Sequence, residues 1–258
     1  APHCGGAPWT YNTSWNPDGF GKYILGISVI SSPTDTSYIF NNTVQNFRVN
    51  FTGDMKFGGI QANGLVNVGG GGANVVSDIV NAGTTTNQYD ELFTVGIWSS
   101  GIGGSRIVNN TVSNISTTMA TRMSLSGIYS SYGDSNAITI QGNNIHDLSC
   151  MGIQANAPVP YSIAGIMLDR PYKGFRVFDN TISRLQSSGT AVNALAAGIM
   201  VTGSSPSAKI VNEIARNRIS GIENLSASGG EITGIMLPQG INRVYNNQVS
   251  LTNGNNQH

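Results

Sequence analysis

Apolar residues in this chain recur in short alternating runs. Gly-Ile opens the clearest of them: Gly165-Ile166-Met167-Leu168, Gly198-Ile199-Met200-Val201 and Gly234-Ile235-Met236-Leu237. Period-two alternation predicts a strand with one buried face. A second run follows a turn, as in Arg106-Ile107-Val108, Arg176-Val177-Phe178 and Arg243-Val244-Tyr245. An Asn comes next, and then a third run whose apolar residues stand three apart: Val112 and Ile115, Ile145 and Leu148, Ile182 and Leu185, Ile219 and Ile222. No amphipathic segment of helix length competes with these strands.

The three runs repeat as a unit. Gly-Ile pairs begin at Gly26, Gly59, Gly96, Gly127, Gly165, Gly198 and Gly234, a period of 31 to 38 residues. Each is paired downstream with an Asn two places before Val or Ile, at Asn42, Asn110, Asn143, Asn180, Asn217 and Asn247. In the second repeat the reading takes Ser77-Asp78-Ile79 for the equivalent triplet. A period of this size predicts a stacked array in which each unit buries its apolar edge against its neighbours. Three short strands per turn, stacked in parallel, give an all-β, single-stranded parallel β-helix of about seven coils.

In its Gly-Ile runs and Asn triplets, from about Ile24 to Ser250, the chain resembles the right-handed parallel β-helix superfamily of pectate-lyase-like proteins. The resemblance implies right-handed coils and an inward Asn ladder at the bend between the second and third strands. Asn suits such a bend because it tolerates the left-handed conformation and its amide can bond up and down the stack. The resemblance specifies a fold and leaves the activity open, since lyases, hydrolases, tailspikes, adhesins and inert surface proteins share it.

Residues 1–23 lie outside the repeat and hold Trp9, Tyr11, Trp15, Phe20 and Tyr23. They are expected to cap the first coil, with carbohydrate stacking as the alternative. Residues 24–258 form the solenoid domain. Its last coil runs into the polar stretch Asn253 to His258, so a longer chain or a neighbouring subunit is expected to cover that end.

Composition then narrows the function. Only 10% of residues are charged, against about 25% in an average protein, and the formal net charge is zero. Electrostatic binding of nucleic acid is therefore not expected, nor is membrane insertion, since no apolar run approaches the ~20 residues of a spanning helix. Thirty-three glycines and abundant Asn, Ser and Thr suit a secreted solenoid. The start at Ala1 fits a removed signal peptide or a trimmed chain. Cys4 and Cys150 make no disulfide framework, and their free or bridged state stays open.

If each Ile of Gly-Ile points inward, simple alternation turns both neighbours outward. One outward row is then Ser28, Gln61, Trp98, Tyr129, Met167, Met200 and Met236, and the row beside it is the seven glycines. Five large apolar side chains, Trp98, Tyr129, Met167, Met200 and Met236, would make a binding or assembly face. A loop folded over the face and a sugar platform at Trp98 and Tyr129 are the competing readings. The second strands present Tyr38, Ala73, Arg106, Thr139, Arg176, Glu213 and Arg243 outward.

Candidate catalytic groups are sparse. A lyase needs a base for the proton next to a uronate carboxylate and a cation to neutralise that carboxylate. The cluster of Asp169, Arg170, Lys173, Arg176 and Asp179 is the best source, with Arg170 or Lys173 as base. Only this alternative would call for calcium, and it supplies two carboxylates where the ion takes six to eight oxygens. A hydrolase needs two carboxyls across a sugar, for which Asp134 and Asp147 with His146 are the nearest set. No cofactor and no zinc pattern is expected. Gly69–Gly72 and Gly101–Ser105 read as turns, because the phosphate-loop Lys and following helix are absent. The reading is thus a secreted, non-catalytic β-helix: a subunit of an extracellular assembly, with itself as partner head-to-tail or laterally, or an adhesive module. A polysaccharide lyase or glycosidase is the alternative and a carbohydrate-binding module the third, both with an extracellular polysaccharide as partner.

Overall fold

The computed structural model describes residues 9–11, 22–32, 34–50, 55–83, 92–100, 104–118, 123–131, 137–152, 161–171, 174–189, 194–203, 211–226, 230–237 and 241–251. A short strand, β1 (Trp9–Tyr11), precedes seven coils of three strands. Coil one holds β2 (Lys22–Ile30), β3 (Ser37–Ile39) and β4 (Thr43–Val49). Coil two holds β5 (Met55–Asn63), β6 (Val66–Val68) and β7 (Val75–Asn81). Coil three holds β8 (Leu92–Ser100), β9 (Arg106–Val108) and β10 (Thr111–Thr117). Coil four holds β11 (Met123–Ser131), β12 (Ile138–Gln141) and β13 (Asn144–Cys150). In coil five these are β14 (Ile163–Asp169), β15 (Phe175–Phe178) and β16 (Thr181–Ser187). Coil six follows with β17 (Ala194–Thr202), β18 (Val211–Ala215) and β19 (Arg218–Asn224). Coil seven closes the series with β20 (Gly230–Met236), β21 (Ile241–Tyr245) and β22 (Gln248–Ser250).

Like strands of successive coils pair in parallel, giving three sheets of seven, seven and eight strands wound as a right-handed β-solenoid. The eighth strand of the third sheet is β1, whose backbone pairs with Phe47–Val49 of β4. Equivalent residues stack in straight rows. One runs Ile27, Ile60, Ile97, Ile128, Ile166, Ile199, Ile235, and another Val44, Val76, Val112, Ile145, Ile182, Ile219, Val249. These rows and the second-strand row from Ile39 to Ile214 form one continuous core along the axis.

The expected Asn ladder is present and runs unbroken through all seven coils. The backbone N–H and Nδ2 of each ladder Asn donate to the Oδ1 of the next, at 2.8 to 3.2 Å, from Asn42 through Asn74, Asn110, Asn143, Asn180 and Asn217 to Asn247. The second repeat's member is therefore Asn74, followed by Val75-Val76, and the Ser77-Asp78-Ile79 assignment is corrected. Asp78 is an outward residue in the middle of β7. The same shift replaces Ala73 by Asn67 in the second-strand outward row. The left-handed bend is also misplaced by the sequence reading. It falls on the residue before the ladder Asn, with φ of 57° at Asn41, 58° at Asn109, 55° at Asp179, 56° at Arg216 and 54° at Asn246. The ladder Asn is retained for its hydrogen bonds and not for its backbone.

The glycine row faces the opposite way from the expectation. A Cβ added at any of the seven glycines would lie 2.3 to 2.6 Å from a methyl of the paired third-strand Val or Ile. At the first six it would also lie 2.6 to 2.7 Å from the next glycine's carbonyl oxygen. Gly127, for instance, accommodates Ile145 Cγ2. The glycines thus point into the core, and the two halves of the sequence repeat are one contact: Gly removes a side chain where the β-branched residue after the ladder Asn enters. The strand pairings pass over each glycine, matching Ser126 with Ala164 and Ile128 with Ile166. Alternation slips by one there, so Gly and Ile both face inward.

Candidate functional site

The third sheet carries the most developed surface feature among the described residues. Its strands bend at their middle residue, which takes a left-handed φ of 52 to 62° at Asn46, Asp78, Asn114, Asp147 and Arg184, and 60° at Gly221. One left-handed residue between two inward ones turns the period of two into a spacing of three, which is the sequence signature of Val112 and Ile115. The bent residues stack outward as a polar row: Asn114 Nδ2 donates to Asp78 Oδ1 at 2.5 Å, and Arg184 grips Asp147 through both carboxylate oxygens at 2.5 and 2.8 Å. The row ends in Gly221, where the missing side chain leaves an open groove beside Arg184. That groove encloses a cavity of about 380 Å³ lined by Asp147, Leu148, Ser149, Arg184, Leu185, Gln186, Gly221 and Glu223.

Its electrostatics are largely self-compensated. The Arg184 guanidinium and then the His146 ring, 2.6 Å away, hold the Asp147 carboxyl well below the usual carboxylate range. The same pairing raises Arg184. Across the groove the Gln186 amide donates to Glu223 at 3.4 Å. Asp147 is therefore ionised at neutral pH and cannot serve as the acid of a glycosidase pair. Its expected companion Asp134 lies outside the described residues. The arrangement offers carboxylate, guanidinium, amide and hydroxyl groups above a leucine floor, a hydrogen-bonding surface of a size at the low end for small-ligand sites. Sequence reasoning found Asp147 and His146 but missed Arg184 and Glu223, since only the register shows that they share a face.

The apolar row stacks as expected, from Ser28 and Gln61 through Trp98, Tyr129, Met167 and Met200 to Met236. It points away from the solenoid core yet is not an open face. Exposure is 8% at Trp98, 9% at Tyr129, 3% at Met167 and 0% at Met200. With Phe93, Val95, Tyr161, Ala164, Leu195 and Ala197 these side chains form a second apolar cluster, against which Met236 is partly buried. Phe93 stacks on Tyr129 at 5.2 Å and meets Trp98 edge-on at 5.1 Å. Burial pushes the Tyr161 hydroxyl up to about 12. The row is a second core layer, and a partner would reach it only by displacing that layer.

The Asp169 to Asp179 cluster separates into structural pairs. Asp169 is buried and receives bonds from Arg170 at 3.0 Å, Thr202 Oγ1 at 3.0 Å and the Tyr129 hydroxyl at 3.4 Å. Asp179 sits at the next corner, bound by Arg216 at 2.7 and 3.0 Å, with its carboxyl lowered by that contact. Arg216 also lies over the Phe178 ring, 5.4 Å from its centroid. Asp179 also accepts from the Gln141 amide at 3.2 Å, so the two carboxylates are held by different sets of partners. Arg176 is exposed on the second sheet, and Lys173 lies outside the described residues. Among the described residues no group of three or more His, Cys, Asp or Glu is placed to hold a metal ion. Cys150 is a free thiol sealed in the core, its pKa pushed by burial up to about 11. Cys4 is outside the described residues.

No protein-family model, curated protein or solved structure matches this chain.

Proposed function

We propose that this chain is a secreted, non-catalytic β-helix of pectate-lyase-like type that builds an extracellular assembly by stacking end to end on copies of itself. The observation that carries the reading is the state of coil seven. Val244 and Val249 are 47% and 43% exposed, whereas Ile214 and Ile219, one coil below in the same inward rows, are 1% exposed. Ile241, Tyr245 and Leu251 are exposed beside them. Among the described residues β20, β21 and β22 are the last strands of the three sheets, and their exposed core row suits a further coil of the same cross-section. A second copy supplies that cross-section, and such a head-to-tail contact does not close on itself, so it propagates into a filament.

The burial of Met167 and Met200 weighs against the lateral assembly face considered from sequence. The lyase alternative is weakened because Asp169 and Asp179 are already engaged by Arg170, Thr202 and Arg216. A second reading, binding of an extracellular polysaccharide without cleavage, is favoured by the groove at Asp147, Arg184, Gln186 and Glu223. Low charge and abundant Asn, Ser and Thr support an extracellular location. Sedimentation velocity over a wide concentration range tests the main reading. Mass rising with concentration supports it, and a single monomeric species throughout overturns it.

A further inference from the structure

We propose that the outward face of the second sheet binds an extended acidic glycan laid along the solenoid axis, with an acidic group on every second sugar. Binding there requires neither end-to-end stacking nor the groove on the third sheet.

Three arginines carry the site. Strand pairing stacks the outward residues of the second sheet as Arg106, Thr139, Arg176, Glu213 and Arg243, one from each of coils three to seven. Arginine therefore recurs at every second coil, and successive arginine Cα atoms stand ~9.6 Å apart at ~4.8 Å per layer. All three are exposed. Among the described residues none of them has an ion pair or a side-chain hydrogen bond. Arg170, Arg184 and Arg216, by contrast, each hold a carboxylate. In a chain of zero net charge, a single file of uncompensated cations is a local departure from balance.

The residues between the arginines decide which polyanion fits. Thr139 offers a hydroxyl, and Glu213 offers a carboxylate that accepts from the Tyr245 hydroxyl. The row thus reads cation, neutral, cation, anion, cation. An acidic group opposite Glu213 would be repelled, and one opposite Thr139 would meet no cation. An extended glycan advances by about one strand layer per sugar, so acids on alternate sugars fall on the arginines. The sugars between them then present hydroxyls to Thr139 and Glu213. Arginine suits the acid positions, because its planar fork binds a carboxylate through two parallel hydrogen bonds. A glycan with an acid on every sugar sets one of them against Glu213. Duplex DNA carries a charge every ~1.7 Å, far denser than this row. An anionic lipid surface is met by clusters of about four to eight basic residues rather than a file of three.

Calorimetric titration of the purified chain at low ionic strength reads the site. The probe is a hexasaccharide of alternating glucuronic acid and N-acetylglucosamine. Hexagalacturonate, a neutral oligomer of N-acetylglucosamine and a single-stranded oligonucleotide are the comparisons. The alternating hexasaccharide is expected to bind about tenfold more tightly than any of these, and less tightly as salt rises. Arg106→Ala and Arg176→Ala are each expected to weaken it about tenfold, as loss of one charge-assisted contact does. Arg218→Ala, an exposed arginine of the third sheet, is expected to leave it unchanged. Thr139→Arg makes the cations continuous from coil three to coil five and is expected to bring hexagalacturonate up toward the alternating oligomer. Weakening by Arg184→Ala in place of Arg106→Ala and Arg176→Ala would move binding to the third-sheet groove and overturn this site. Equal binding of the two acidic oligomers, preference for the oligonucleotide, or no binding of any probe would each overturn it as well.

Discussion

Glycine and its third-strand partner carry the repeat at the scale of single residues. Gly127→Ala is expected to cost about 1–3 kcal/mol, as overpacking of a filled core does, because Ile145 Cγ2 and the Gly165 carbonyl oxygen already occupy the space a methyl needs. Denaturant unfolding measures it, and an unchanged midpoint would mean that the glycine faces solvent. Asn143 bonds on both sides, accepting from the Asn110 N–H and Nδ2 and donating to the Asn180 Oδ1. Asn143→Ala orphans those buried groups and is expected to cost roughly 3 kcal/mol, about 1–3 per unpaired group with partial relaxation. The amino-acid pattern alone reveals both residues as members of a repeat. It does not reveal their orientation, because counting outward from Ile by twos assumes an unbroken pleat. The strands slip at each glycine, and the left-handed bend moves off the ladder Asn onto its predecessor. Asn74 keeps the common spacing, two places before Val76, but is passed over in the sequence because Val75 stands where the other coils carry a polar residue.

At the scale of strands and sheets, the first sheet is buried on both faces through coils three to six. Its outer cluster of Trp98, Tyr129, Met167 and Met200 behaves as core, so Met200→Ala is expected to lower stability by about 2–5 kcal/mol, read as a fall in the unfolding midpoint. A stable monomer that only loses assembly would instead mark that row as an intersubunit face. The row's membership is readable from the sequence, whereas its burial is not, because alternation says which way a side chain points and not what packs against it. The third sheet's outer face is ruled by ion pairs across coils. The Asp147 carboxyl is depressed in the folded state, so its contribution is present above its ordinary value of 3.8 and is lost as pH falls below it. Asp147→Asn is expected to melt below the wild type at pH 7 and to converge with it as pH drops from 4 toward 2. Curves that stay parallel over that range would show that the pairing with Arg184 adds nothing to stability.

Across the whole molecule, a solenoid grows by repeating one layer, and each layer is stabilised by the next. Coils three to six illustrate the rule, with their Ile rows fully enclosed, and coil seven departs from it at Val244 and Val249. That departure points along the axis rather than to the side. An enzyme reading would need a side face with uncommitted acid and base groups, and Asp147, Asp169 and Asp179 are each already bound by an arginine. The measurement that bears most directly on the account is electron microscopy of the purified 258-residue chain before and after concentration. Filaments one solenoid wide, with an axial repeat of roughly 34 Å from seven strand layers, are the predicted result. Discrete single particles at every concentration, without end-to-end contacts, would contradict it.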